Sequence, residues 1–258
     1  MDTKKTFYEE LLVPLPSKPL VIGDADTQDV VCQKLDDFFD DLIRDYAPNT
    51  QKILREMYHE YFWIYPVKPT SLDEGMLATW YMTVDDGNAS FRMKVNEDMV
   101  DCPVTFRWLK IHEIAAHIGQ AAERVSQVGI DKAVKEFNDE DLNGFLEQSV
   151  TLAEKMIIDA IPMRIFDMDI DCIQNPSSRD FLRLAVKQLK DTSLQDYTRL
   201  KHRPDEDRVN EEGHARFFQR ADVAAFISGY PALTQVDSIP EQHVISVKAA
   251  SPKVFKPR

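Results

Sequence analysis

The spacing of apolar residues constrains the fold most, because it changes from helical to strand-like and back along the chain. In the first part, apolar positions recur every three or four residues, as in amphipathic helices. Two β-rich runs follow, over 78–84 and 89–95, and the second alternates apolar with polar residues. After Pro103 the helical spacing returns. The order predicts a mainly α domain of the α+β class, with about six helices packed in a bundle-like domain and one β-hairpin near residues 78–95.

Helix-breaking and capping residues give the approximate bounds of these elements. The predicted helices cover about 29–46, 51–65, 105–128, 139–160, a shorter stretch from Ser177 or Ser178 to Leu189, and 209–228. The turn Asp85-Asp86-Gly87-Asn88 joins the two strands, because Gly and Asn accept positive φ. The acidic run Asp167-x-Asp169-x-Asp171 lacks the glycine and glutamate of a calcium loop and is predicted to be a strand or loop.

Proline and charge divide the chain into three predicted parts. Residues 1–27 contain three prolines and are expected to form an extended arm. Residues 28–240 form a single mostly helical domain that includes the hairpin. Residues 241–258 form a basic, flexible tail.

Composition excludes several functional classes. The 258 residues include 44 Asp and Glu against 31 Lys and Arg, a net charge of −13 that argues against broad nucleic-acid binding. No apolar run approaches the roughly 20 residues of a membrane span. With 8 glycines and no Gly-rich loop, we expect no nucleotide cofactor. Three widely spaced cysteines and no secretion signal favour the reducing cytoplasm. The oligomeric state is left open.

The segment His112-Glu113-Ile114-Ala115-Ala116-His117 looks like the helix of zinc proteases, but its histidines are five apart instead of four. On an α-helix, this spacing separates them by about 140°, so one metal ion is not expected to bind both. Glu113 and His117 are four apart and share a face, away from the apolar stripe. They are interpreted either as a solvated pair or as zinc ligands that need a distant third ligand.

Two Glu-x-x-His triplets form a second candidate site. Glu56 and His59 lie on the second predicted helix, and Glu211 and His214 lie on the last. A carboxylate and an imidazole three residues apart share one helical face, so two such helices supply much of a di-iron site. These two segments resemble ferritin-like di-iron carboxylate proteins. The resemblance implies iron as the cofactor and all four residues as its ligands, while the two remaining carboxylate ligands are not identified.

Three functional hypotheses follow from these patterns. The first is a metal-dependent oxidoreductase, of the non-haem di-iron type if the two triplets bind iron, which acts on a small organic substrate in a pocket lined by Tyr58 and Trp63. The second is a non-catalytic accessory protein of a phage or bacterium, whose acidic helical face binds a basic protein partner. The third is a mononuclear zinc hydrolase that uses Glu113 and His117.

Overall fold

The computed structural model describes residues 11–72, 76–139, 142, 163–173, 175–180, 182–184 and 220–229. In this part of the chain, helices predominate and three strands form one small mixed sheet, so the mainly helical α+β class is confirmed. The bundle-like packing of the helices stays a prediction.

The chain order begins with two helices, α1 (Gln28–Leu42) and α2 (Pro48–His59). Three strands follow: β1 (Ile64–Val67), β2 (Ala78–Asp85) and β3 (Asn88–Asn96). A continuous helical stretch then consists of α3 (Pro103–Lys110), a π-helical segment (Ile111–Ile118) and α4 (Gly119–Val128). Further helices are α5 (Ile130–Phe137), α6 (Met163–Ile170) and α7 (Ala221–Gly229). Residues 176–180 and 182–184 are also helical.

The predicted hairpin is confirmed. Strands β2 and β3 are antiparallel, and the turn places Asp86 and Gly87 at φ of 47° and 75°. Positive φ at both central residues defines the tight turn whose twist matches that of the strands. Met82 lies opposite Phe91, and both are buried, so the alternation seen in the sequence marks the inner face of the sheet.

Strand β1 was not predicted, because the second helix was expected to continue to Tyr65. The helix ends at His59 instead, and Ile64–Val67 pairs in parallel with β3. Branched and aromatic residues here favour an extended backbone. Pro66 fits because β1 is an edge strand of the order β1-β3-β2, where a missing donor costs little.

Helix α1 packs its predicted apolar stripe into the core. Thr27 caps its N-terminus by accepting the Val30 backbone N–H, and the stripe residues are buried (Val31, Leu35, Phe38, Phe39 and Leu42). The helix ends earlier than predicted, at Leu42. Tyr46 therefore lies in the connection to α2, where it is buried.

The predicted strand or loop over Asp167–Asp171 is wrong, because Met163–Ile170 is helical. Asp169 is buried, and its carboxylate accepts the backbone N–H of Thr105 at 2.6 Å and the amide of Gln28 at 2.7 Å. Asp169 thereby gives a partner to a backbone N–H at the N-terminus of α3, where the N-cap residue Cys102 makes no side-chain capping hydrogen bond. Tertiary contacts therefore explain an acidic residue for which the sequence pattern predicted a strand or loop.

Several predicted elements lie outside the described residues, including nearly all of 139–160, most of 209–228 and the tail over 241–258. Residues 11–27 of the predicted arm contain no helix or strand, and α1 begins directly after them at Gln28. Leu11, Val13 and Leu20 in this arm are buried. Among the described helices, none has the length and apolar character required to cross a bilayer.

Candidate metal centre

The helix after the hairpin changes its hydrogen-bond pattern at Ile111. At the end of the π-helical segment, the Gly119 N–H donates to the carbonyls of Ile114, five residues back, and Ala116. A bond to the fifth preceding residue widens the helix, and such segments are rare and frequent at functional sites. The region therefore has a different angular spacing from the α-helix expected over 105–128.

The wider helix brings the two histidines together. The ring centroids of His112 and His117 are 4.8 Å apart, and the rings are nearly perpendicular, at 88°. The expectation that one metal ion cannot reach both is therefore wrong. It assumed α-helical geometry, in which residues five apart diverge, whereas a helix with i→i+5 hydrogen bonds brings such residues closer to one face.

Glu113 completes a three-residue group with the histidines. One ligand atom from each of the three side chains lies within 4.8 Å of the other two, and Glu113 Oε1 is 4.0 Å from His112 Nε2. Donor atoms bound at about 2.0–2.1 Å to a tetrahedral zinc ion are about 3.4 Å apart, so the three side chains would have to move closer together to hold one. Two imidazoles and one carboxylate are a common ligand set of catalytic metal sites.

The group is enclosed, which corrects the interpretation of Glu113 and His117 as a solvated pair. The side chain of Glu113 is 7% exposed and that of His112 is 17% exposed. Trp80, on the inner face of β2, stacks beside His117 with ring centroids 6.3 Å apart. The sheet therefore forms one wall of the group and partly shields it from solvent.

Burial keeps both histidines neutral. It lowers the pKa of His112, which the nearby Glu113 partly opposes. Burial and the neighbouring His112 hold the pKa of His117 well below its usual range. A neutral imidazole is the form that binds a metal ion, so the site does not have to release histidine protons before it binds one at neutral pH.

The first predicted triplet lies in a different environment. Glu56 has a side chain that is 45% exposed and 3.8 Å from Lys52 Nζ. His59 is the last residue of α2, is exposed, and its ring contacts that of Tyr58 at 5.2 Å. The second triplet, Glu211 and His214, lies outside the described residues. The pairing of the two triplets around iron therefore stays a prediction.

Of the two predicted substrate contacts, Tyr58 lies in the last turn of α2 and Trp63 lies in the connection to β1. Tyr58 is buried, stacks on Phe39 with centroids 4.0 Å apart, and donates its hydroxyl to Asp36 at 2.7 Å. Trp63 is partly buried under the guanidinium of Arg92, which is 4.4 Å from the ring centroid. Both side chains are packed against named neighbours, and whether they contact a substrate stays a prediction.

The acidic face of α1 makes many bonds within the chain. Asp36 accepts from Tyr58 and Arg107, Asp37 accepts from Gln33, Asp40 pairs with Arg55, and Asp41 accepts from Ser17 and Arg44. The carboxylates that suggested a docking face for a basic partner are thus hydrogen-bonded to the protein itself.

The candidate ligand that sequence reasoning missed is His112. The available signal was the zinc-protease pattern with one additional residue between its histidines, because a π-helical segment accommodates such an insertion. Small residues at Ala115, Ala116 and Gly119 accompany it. Without knowledge of the helix type, the spacing alone pointed away from a shared metal ion.

In three comparisons with known proteins, no family model, curated protein or solved structure matches the chain. The assignment of a function to the His112–Glu113–His117 group therefore depends on its geometry and chemistry.

Proposed function

We propose that this protein is a mononuclear zinc-dependent hydrolase, with His112, Glu113 and His117 as the protein ligands of the metal ion. The observation that carries the proposal is the π-helical segment, which aligns histidines five residues apart and places a carboxylate between them. Catalytic zinc sites have three protein ligands of this kind and leave the fourth position open.

The ligand set accounts for the chemistry. His112, Glu113 and His117 would hold the zinc ion, which would activate a water molecule for hydrolysis near neutral pH. The chain contributes a partly enclosed setting, in which Trp80 covers His117 and limits access of bulk water. Burial of Glu113 strengthens its attraction to a cation, because the local dielectric constant is low.

Zinc binding tests the site directly. Isothermal titration of chelator-treated protein with zinc should give one ion per chain. His112→Ala and His117→Ala should each weaken zinc binding at least about 100-fold, since losing only an outer partner of a metal ligand costs about 10- to 100-fold. His59→Ala is the matched control, because it removes an exposed histidine from another helix, and it should bind zinc like the wild type. Equal binding by all four proteins would refute the site.

Hydrolysis tests the activity separately. The zinc-loaded wild type should release fluorescent peptides from labelled casein or cleave p-nitrophenyl acetate, and His117→Ala should do neither. Zinc binding without either activity would refute the hydrolase proposal and leave a structural zinc site. If Glu113→Gln keeps zinc but loses hydrolysis, Glu113 acts as general base and not as a ligand.

The same ligand set supports a second candidate, a non-haem iron oxidoreductase that acts on a small organic substrate. Two histidines and one carboxylate with open positions are typical of iron(II) enzymes that activate dioxygen. This candidate predicts that anaerobically added iron(II) restores dioxygen consumption and that zinc inhibits it. Activity with zinc alone would reject it.

A further inference from the structure

Tyr46 lies against the π-helical segment and contacts it at two points. Its hydroxyl donates to the buried Ala115 carbonyl at 3.0 Å. Along the chain, Ala115 lies between the candidate ligands Glu113 and His117. The Tyr46 ring lies where a side chain at position 119 would be: a Cβ on Gly119 would be 2.7 Å from Tyr46 Cε2 and 2.9 Å from the hydroxyl oxygen. Only glycine therefore fits at the end of this segment while the ring keeps its place.

The backbone at Tyr46 is itself held in place. The neighbouring Ala47 N–H donates to the Glu123 carboxylate of α4 at 3.1 Å, and Gln51 donates to the Tyr46 carbonyl at 2.8 Å. The connection between α1 and α2 is thus bound to the helix that carries the site. Burial, with Glu123 nearby, raises the pKa of the Tyr46 hydroxyl well above its usual range, so the hydroxyl remains a donor at neutral pH.

A widened helix needs compensation, because i→i+5 bonding is rarer than the α-helical pattern. A phenol hydroxyl that bonds a carbonyl inside the segment gives that carbonyl a partner from outside the helix. The ring in the gap above Gly119 fills space that a regular helix with a side chain there would occupy. Both contacts favour the wide form over an α-helix.

We propose that Tyr46, seated on Gly119 and bonded to the Ala115 carbonyl, is the positioning residue that holds the segment in its π-helical form and so keeps His112 and His117 on one face. The effect on metal binding rests on the proposed function. The effect on the distance between the two imidazoles does not.

The test uses two readouts on the full chain. The first is the nuclear Overhauser effect between the ring protons of His112 and His117 in histidine-labelled, metal-free protein, which reports whether the rings are neighbours. The second is the zinc dissociation constant from titration. Tyr46→Phe removes only the hydroxyl and keeps the ring, and Tyr81→Phe is the matched control on the sheet.

We expect Tyr46→Phe to lose the ring-to-ring signal and to weaken zinc binding roughly 10-fold, the lower end of the range for partners that orient metal ligands. Gly119→Ala should have a larger effect, since it displaces the ring as well. Tyr81→Phe should change neither readout.

A deletion supplies the rescue. Removing Ala116 from Tyr46→Phe shortens the spacing of the histidines to four, so an ordinary α-helix now brings them to one face. The ring-to-ring signal and wild-type zinc affinity should both return, which a general loss of stability would not allow. If Tyr46→Phe keeps the signal, or if the deletion fails to restore it, the positioning role is overturned. A wild type that shows the signal but binds no zinc refutes the proposed function and leaves the positioning role to be judged by the signal alone.

Discussion

Helix α2 and the π-helical segment carry the same kinds of residues in opposite settings. On α2, Glu56 and His59 have the three-residue spacing that α-helical geometry favours for a shared ligand, yet Glu56 is 45% exposed and pairs with Lys52 in solvent. On the π-helical segment, the histidine spacing is unfavourable for an α-helix, yet Glu113 is 7% exposed and both imidazoles are within reach of one ion.

The difference shows that spacing predicts a site only when the helix type and its burial are known. An i,i+3 pair on an exposed α-helix gains a few tenths of a kcal/mol from its charges. A buried group of the same residues is desolvated, and its histidines stay neutral, which is the form that binds a metal ion. The contrast also extends to the polar contacts that hold each helix.

The largest effect should come from the buried ion pair that holds α4 against α5. Arg124 Nε and Glu136 Oε2 are 2.7 Å apart, and the two side chains are 1% and 4% exposed. Glu136→Ala should lower the free energy of unfolding by about 3 to 5 kcal/mol, because it removes the main carboxylate facing a buried guanidinium. Urea unfolding measures the change.

Asp40→Ala is the matched control for this pair. It removes the carboxylate that pairs with Arg55 at 2.9 Å, where the two side chains are 44% and 56% exposed. The expected loss is below about 1 kcal/mol. Equal losses in the two variants would contradict the contrast between buried and exposed contacts.

A second effect concerns Lys110, the last residue of α3, which links α2 to the start of the π-helical segment. Its Nζ donates to the Tyr58 carbonyl of α2 at 2.8 Å. Burial, with Arg107 nearby, lowers its pKa from 10.5 to about 8. At pH values between these two pKa values, the Lys110 amine is protonated in the unfolded chain and neutral in the folded chain. The contribution of Lys110 to stability therefore rises with pH across this window.

Lys110→Met should remove this dependence. The difference in unfolding free energy between wild type and variant should change by at most about 3 kcal/mol between pH 8 and 10.5, in favour of the wild type at the higher pH. Subtracting the variant cancels the opposing titration of buried tyrosines and cysteines. Lys52→Met, at a side chain that is 76% exposed, should show no such change. Parallel pH profiles for wild type and Lys110→Met would contradict the shift.

The smallest effect should come from α2 itself. The double variant Glu56→Ala/His59→Ala should change stability by less than about 0.5 kcal/mol, as expected for an exposed pair on a helix. Its zinc affinity, measured by titration, should equal that of the wild type. A loss of metal binding would move the metal site from the π-helical segment to α2 and would revive the di-iron interpretation.

The sequence predicted those elements whose local and tertiary preferences agree. The hairpin was found because Asp86-Gly87 accepts positive φ and the strand alternates, and α1 was found because its stripe faces the core. Strand β1 was missed because its short, aromatic-rich run depends on pairing with β3, a contact distant in sequence. The helix at Asp169 was missed for the same reason, since its partners Thr105 and Gln28 are far along the chain.

The candidate site was half predicted. Glu113 and His117 were identified as a pair from their spacing, whereas His112 was set aside because an α-helix was assumed. The Tyr46 hydroxyl that bonds the π-helical segment is 69 residues from Ala115 in sequence. No local pattern contains that contact, so the third candidate ligand became visible only in the folded structure.

The most direct test of the account is the zinc K-edge X-ray absorption spectrum of the zinc-loaded full chain. It counts the imidazoles bound to the metal ion and measures their distances. The account predicts two imidazoles at about 2.0–2.1 Å together with oxygen ligands, and the loss of one imidazole in His112→Ala. A spectrum with one imidazole or none, unchanged in His112→Ala, would show that the π-helical segment does not bring its two histidines to one ion.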